Sequence, residues 1–163
     1  MIGVLVVTHG RLAAELVAAA ETIAGAQPNF RALSLDWREG LDVARGRIAN
    51  EVAALSCEDG VLILTDMYGD TPTNAALGFV EAGKVELISG VNLPMIVRLA
   101  CVGGSRGSLA ETARWLEVKA RRAIRRASSV ERGPLPSAAP EDTSKCAPGT
   151  SPDTAPDNDD RDG

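Results

Sequence analysis

The sequence predicts an α/β domain with a doubly wound, mainly parallel sheet flanked by helices. Along the first 126 residues, short apolar runs rich in β-branched residues alternate with segments whose apolar residues recur at helical spacing. This alternation favours parallel strands, because two parallel neighbours need a long crossover connection, usually a helix. Hydrophobic residues make up 45% of the 163-residue chain, which is enough to form the core of one domain.

Four segments have the composition of buried strands. The run at 2–7 is continuous and β-branched, which is typical of a strand covered on both faces. Further apolar runs bounded by polar or glycine residues predict strands at 30–35, 61–65 and 85–89.

Helix signals fill the intervals between these strands. Thr71-Pro72 predicts a helix start, with threonine as the N-cap and proline at the first helical position. Ser108 and Glu111 have the spacing of a capping box, which opens the last helix. The predicted helices lie at 12–23, at 41–55, from Thr71 onward, near Pro94, and from Ser108 to about Arg126.

The net charge of −5 belongs to the C-terminal segment. After residue 133 the chain holds seven acidic and two basic residues, together with six of its nine prolines. Such a segment cannot bury enough apolar surface to fold, so we expect a domain over 1–130 and a disordered tail over 131–163. The body is neutral, which argues against binding to nucleic acid or to a membrane surface. Without a signal peptide or a membrane-length apolar run, the expected location is cytoplasmic.

His9 is the only histidine in the chain. It follows the first predicted strand, and Asp66 follows the third. In the common doubly wound order these strands are neighbours, and ligands bind beyond their carboxyl ends, so we expect the two side chains to meet. A carboxylate that accepts the proton of one ring nitrogen directs the other nitrogen toward an electrophile. Each residue alone also has a structural interpretation, and only their coincidence favours function.

Phosphate oxygens would find donors in the same two loops. Backbone amides after His9, and those at the helix start at Thr71, are the candidates, with the Thr71 hydroxyl as a further donor. The same Thr71-Pro72 pair is also an ordinary helix start that needs no function. The predicted phosphate-binding residues are Gly10, Tyr68, Gly69 and Thr71.

Three ordered segments carry a family resemblance. They read Val-Thr-His-Gly at 7–10, Thr-Asp-Met-Tyr-Gly-Asp-Thr-Pro-Thr-Asn-Ala-Ala at 65–76, and Gly-Val-Asn-Leu-Pro-Met at 90–95. Together they resemble the IIA domain of the mannose-family sugar phosphotransferase system (PTS), and the resemblance covers roughly residues 1–126. It implies a sheet of strand order 2-1-3-4 and frequent homodimerisation.

The resemblance also implies a phosphotransferase chemistry. His9 would take a phosphoryl group from the phosphorylated small carrier HPr and pass it to a IIB component, with Asp66 orienting the histidine. Thr71 stands where many members have a serine, and Tyr68 stands where an aromatic residue is common. No metal and no cofactor are implied, because the phosphoryl group moves directly between protein histidines. The tail is too short for a fused IIB domain, which leaves two alternatives: a separate IIB protein, or no sugar permease at all.

Three alternatives stay open on the sequence alone. One is a regulatory sensor of phosphorylation state that has no cognate sugar permease. A receiver-like switch would need an acidic pair for Mg²⁺ after the first strand, where this chain has Thr8-His9. A flavin- or nucleotide-binding module would need a phosphate loop rich in Gly, Ser and Thr there, and the residues at 10–12 offer little of it.

Overall fold

The computed structural model describes residues 1–55 and 57–126, which form a four-stranded parallel sheet with five helices. The strands are β1 (Gly3–His9), β2 (Phe30–Leu35), β3 (Val61–Thr65) and β4 (Val85–Ser89). The helices are α1 (Leu12–Ala24), α2 (Leu41–Leu55), α3 (Thr71–Leu77), α4 (Leu93–Cys101) and α5 (Leu109–Ala123). The predicted class and the strand order β2-β1-β3-β4 are confirmed. The predicted tail at 131–163 lies outside the described residues.

The two central strands, β1 and β3, run side by side in parallel. Val7 on β1 is in register with Thr65 on β3, so both strands reach the same edge of the sheet together. Every residue of β3 is buried, and so is every residue of β1 before His9, as their continuous apolar runs predict. This register brings the residues that follow Val7 and Thr65 to one place.

Two apolar layers hold the sheet between its helices. Alternate residues of a strand point to opposite faces, so Val4 and Val6 pack on the side of α1, α4 and α5, while Leu5 and Val7 pack on the side of α2 and α3. Full burial of a side chain of this size contributes roughly 1.5–3 kcal/mol. The strand ends at the edge are therefore anchored by a well-packed interior.

The predicted end of the first strand is wrong by two residues. β1 continues beyond Val7, because Thr8 and His9 stay in register with Ser34 and Leu35 of β2. His9 is therefore the last residue of a strand and not a loop residue, which restricts its backbone.

Two helix boundaries also differ from the prediction. The N-cap of α3 is Asp70 and not Thr71, because the Asp70 side chain accepts a hydrogen bond from the Thr73 amide at 3.0 Å. The last helix, α5, ends at Ala123, three residues before the predicted end at Arg126, although its predicted capping box at Ser108 is confirmed. Within residues 1–55 and 57–126, no helix has the length and apolar character needed to cross a membrane.

Candidate functional site

His9 and Asp66 meet at the carboxyl edge of the sheet, as the sequence predicts. One carboxylate oxygen of Asp66, Oδ2, lies 2.9 Å from the backbone nitrogen of His9 and 3.0 Å from the ring nitrogen Nδ1. We assign the proton to Nδ1 from this hydrogen bond, because a carboxylate accepts and does not donate. The second ring nitrogen, Nε2, then carries a free lone pair and is the nucleophilic atom of the ring.

Asp66 is held in its ionised form by its neighbours. Its other oxygen, Oδ1, accepts a hydrogen bond from the Met67 amide at 3.1 Å. Burial raises the pKa of Asp66, but the hydrogen bonds that it accepts, first of all those from the backbone and ring of His9, together outweigh this effect and hold the pKa below its ordinary value of 3.8. The site therefore has a fixed negative charge beside the imidazole at neutral pH.

A second carboxylate, that of Asp70, lies beside the same ring nitrogen. Its Oδ2 is 3.4 Å from His9 Nδ1, and the side chain is only 5% exposed. Among the described residues this oxygen has no hydrogen-bond partner, while the other oxygen caps α3. No role is predicted for Asp70 from the sequence, although an aspartate directly before Thr71-Pro72 is a good N-cap signal.

Trp37 covers one face of the His9 ring. The two ring centroids are 4.4 Å apart and their planes differ by 9°, which is a stacked arrangement. Trp37 lies in the loop between β2 and α2 and reaches His9 because Leu35, at the end of β2, is in register with His9. A lone tryptophan in a polar loop gives no sequence signal for such a contact, so the stack is not predicted from the sequence.

The predicted phosphate-binding residues fall into two groups. The Gly10 amide donates to the carbonyl oxygen of Leu35 at 2.8 Å, so it is not free to hold a phosphate oxygen, contrary to expectation. Tyr68, Gly69 and Thr71 lie on the β3–α3 loop between the two carboxylates or directly after it. Within the described ranges, no protein acceptor is found for the backbone N–H groups of these three residues.

This β3–α3 loop is fixed by a buried pair of hydroxyls. The Thr73 hydroxyl donates to the carbonyl oxygen of Met67 at 2.6 Å. The Thr65 hydroxyl lies 2.8 Å from the Thr73 hydroxyl. Gly69 has a φ of +86°, a conformation that other residues rarely adopt. The loop therefore presents unpaired backbone donors from a defined conformation.

His9, Asp66 and Asp70 could also hold a divalent cation by their composition. Each offers one ligand atom, and these atoms lie within 4.8 Å of one another. The hydrogen bond between Nδ1 and Asp66 already accounts for the position of the imidazole, however. We therefore derive no chemical step through a metal.

Comparison with known proteins identifies the family and the fold to which this chain is similar. Residues 3–114 match the family model EIIA-man, described as the PTS system fructose IIA component. The PTS system mannose-specific EIIAB component of Escherichia coli (strain K12) is 34% identical over 97 residues, which cover 59% of this chain and 30% of that protein. The PTS system fructose-specific EIIA component of Bacillus subtilis (strain 168) is 30% identical over 100 residues, covering 61% of this chain and 68% of that protein.

A solved structure agrees in fold. The crystal structure of phosphotransferase system component EIIA from Streptococcus agalactiae has a TM-score of 0.71 to this chain at 22% identity. The match covers 80% of this chain and 100% of the streptococcal one. At this identity the likeness shows a shared architecture.

Proposed function

The chain belongs to the EIIA-man family of PTS IIA components. We propose that Nε2 of its His9 accepts a phosphoryl group from phospho-HPr and passes this group on to a IIB component. The observation that carries this proposal is the 3.0 Å contact between His9 Nδ1 and Asp66, which leaves Nε2 as the available nucleophile. The same proposal implies a cytoplasmic protein.

The proposed transfer is a direct exchange between two histidines. The lone pair of Nε2 forms a bond to phosphorus while the bond from phosphorus to the donor's histidine nitrogen breaks, and that nitrogen keeps the electron pair. The proton on Nδ1 stays in place throughout, so the phosphorylated ring becomes positively polarised. The reverse sequence of bond changes delivers the group to IIB.

In this proposal Asp66 is the orienting residue. Its carboxylate fixes the ring through Nδ1 and balances the positive polarisation that develops when Nε2 binds phosphorus. The second carboxylate, on Asp70, strengthens the same effect at 3.4 Å from Nδ1. Both act on the edge of the ring opposite the reacting nitrogen, so they do not have to touch the phosphoryl group.

We propose the β3–α3 loop as the region that holds the phosphoryl oxygens. The unpaired amides of Tyr68, Gly69 and Thr71, together with the Thr71 hydroxyl, are hydrogen-bond donors on the segment that also carries Asp66 and Asp70. Such donors partly offset the two nearby carboxylates, which would otherwise repel a phosphoryl group. Gly10 is excluded from this set because its amide is already bonded to Leu35.

We propose further that the folded domain spans 1–130 and that the protein is a homodimer. A structural feature compatible with dimerisation is β4, which is an edge strand of the described sheet and has β3 as its one neighbouring strand there. Light scattering coupled to size-exclusion chromatography measures the mass directly. A mass of a single chain at micromolar concentration would contradict the dimer.

The phosphocarrier proposal is tested by incubating the protein with enzyme I, HPr and phosphoenolpyruvate that is radiolabelled in its phosphoryl group. We expect wild type to acquire label that is stable in alkali, as phosphohistidine is, whereas an aspartyl phosphate hydrolyses in base. His9→Gln should acquire none, and circular dichroism checks that it folds. Equal labelling of His9→Gln and wild type would overturn the proposal. Loss of label on adding a IIB protein tests the second transfer.

A further inference from the structure

We propose that Trp37 is a positioning residue whose indole stabilises the phosphorylated form of His9 by stacking on its ring. This inference rests on the proposed function, because it concerns the state in which His9 carries phosphate. It adds a side chain from the β2–α2 loop to a site that otherwise derives from β1 and the β3–α3 loop.

The stack suits a positively polarised ring. The indole and imidazole centroids are 4.4 Å apart with planes 9° from parallel, within the range of about 6 Å over which an aromatic face attracts a cation. A neutral imidazole gains less from this contact than an imidazole that keeps its Nδ1 proton while Nε2 is bonded to phosphorus. The stack therefore favours the phosphorylated state over the free one.

Burial does not explain the position of Trp37. The side chain is 76% exposed, so the apolar interior contributes little to holding it there. The loop that carries Trp37 is instead fixed by several hydrogen bonds to neighbouring elements. Its location is therefore a property of the loop and not of the core.

A largely buried carboxylate fixes that loop. Glu39 Oε2 accepts a hydrogen bond from the Asp36 amide at 3.1 Å and pairs with Arg47 Nη1 at 2.7 Å. Arg47 also donates to the carbonyl oxygen of Ser34 at 3.0 Å, which ties α2 to the end of β2. These bonds lie on both sides of Trp37 in sequence, so the loop backbone that carries the indole is fixed before any phosphoryl group arrives.

The contacts of His9 within the described residues involve its Nδ1 edge and one face of its ring. Asp66 and Asp70 both lie at Nδ1, and Trp37 covers one face, so the ring is only 11% exposed. An imidazole restrained on an edge and a face has little freedom to rotate away from the donor. Trp37 thus contributes to orientation as well as to charge stabilisation.

The equilibrium test compares wild type with Trp37→Ala and Trp37→Phe. Each protein is mixed with phospho-HPr, and the distribution of label between the two proteins is measured at equilibrium. An exposed cation–π contact predicts that Trp37→Ala shifts this equilibrium toward phospho-HPr by about two- to five-fold. Trp37→Phe keeps an aromatic face and should recover most of the difference. An equilibrium that is the same for all three proteins would overturn the inference.

A matched control separates this effect from a general loss of structure. Trp115 is the other tryptophan in the chain, lies on α5, and stacks with Arg106 and not with His9. Trp115→Phe should leave the phosphoryl equilibrium unchanged. A shift in Trp115→Phe equal to that in Trp37→Ala would show that the change is not specific to the stack.

The Trp115→Phe protein also allows a spectroscopic test, since Trp37 is then the only tryptophan. Phosphorylation of His9 with phosphoramidate, a small-molecule donor, should change the Trp37 fluorescence, and the added His9→Gln change should abolish that response. A spectrum unaffected by confirmed phosphorylation contradicts the stack. If phosphoramidate and phospho-HPr both fail to label His9 in wild type, the proposed function fails instead, so the two failures are distinguishable.

Discussion

Replacing Asp66 by asparagine removes a charge from the site while keeping the shape of the side chain. In the native structure Asp66 Oδ2 accepts two hydrogen bonds from His9, at 2.9 Å from the backbone and 3.0 Å from Nδ1. An amide has one acceptor oxygen, and its nitrogen must then face the Met67 amide, which is another donor. The asparagine of the Asp66→Asn variant therefore cannot reproduce all three contacts.

The size of the effect follows from the charged hydrogen bond between Asp66 and Nδ1, which the variant either loses or keeps only with a neutral acceptor. A hydrogen bond to a charged group contributes roughly 1.5–3 kcal/mol, and each 1.36 kcal/mol corresponds to a tenfold change in rate. If the Asp66–Nδ1 bond acts fully in the transition state, Asp66→Asn slows phosphorylation by about 10- to 150-fold. The initial rate of labelling by phospho-HPr in rapid-quench experiments measures this directly.

The control for this experiment is Asp42→Asn, an equivalent change on α2 at a side chain that is 97% exposed. We expect it to transfer phosphate at the wild-type rate. A folded Asp66→Asn protein whose rate lies within about twofold of wild type would refute the orienting role of Asp66, because twofold corresponds to only about 0.4 kcal/mol.

Three other predictions follow from the same contacts. Asp70→Asn removes the second negative charge beside Nδ1, so phosphoryl transfer should slow by about two- to tenfold. We expect a smaller effect than in Asp66→Asn, because Asp70 makes no direct hydrogen bond to the ring. An effect larger than that of Asp66→Asn contradicts this ranking. Thr73→Val leaves the Thr65 hydroxyl without its acceptor and should lower the free energy of unfolding by about 1–3 kcal/mol, measured by urea denaturation. An unchanged free energy of unfolding would show that the hydroxyl pair does not stabilise the loop. The pKa of Asp66 is lower in the folded state than its ordinary value of 3.8, so in acid the unfolded chain binds more protons than the folded one. The stabilisation from Asp66 is therefore complete above pH 3.8 and is lost as the pH falls through the folded-state pKa. The stability difference between wild type and Asp66→Asn should therefore stay constant from neutral pH down to the ordinary pKa of 3.8 and shrink as the pH falls below it, and a difference that stays constant in acid would contradict the assigned charge.

The sequence could predict the sheet because its strongest signals are local. The apolar runs of β1 and β3 are buried on both faces, so each strand is visible without knowledge of its neighbours. His9 and Asp66 could be paired in advance because strand order alone brings the ends of β1 and β3 together. The exact end of β1 could not be predicted, because the pairing of His9 with β2 is a contact between residues far apart in the sequence.

The rest of the site depends on geometry that no local pattern encodes. Trp37 reaches His9 only through the register of β2 and the hydrogen bonds of the loop around Glu39. Asp70 could be identified as a helix cap from its neighbours, but the direction of its second oxygen depends on how α3 packs below the sheet edge. The Gly10 amide pairs with Leu35 only because β1 is longer than its apolar run, so the sequence alone predicts this amide as a free phosphate donor.

The central claim is that Nε2 of His9 carries the phosphoryl group while Nδ1 keeps its proton, which is hydrogen-bonded to Asp66. The most direct measurement is NMR of the phosphorylated protein with ¹⁵N-labelled histidine, which is simplified because the chain has one histidine. We predict coupling between phosphorus and Nε2, with Nδ1 remaining protonated. Coupling to Nδ1, or a phosphorylated protein whose histidine nitrogens are unchanged, would contradict the account.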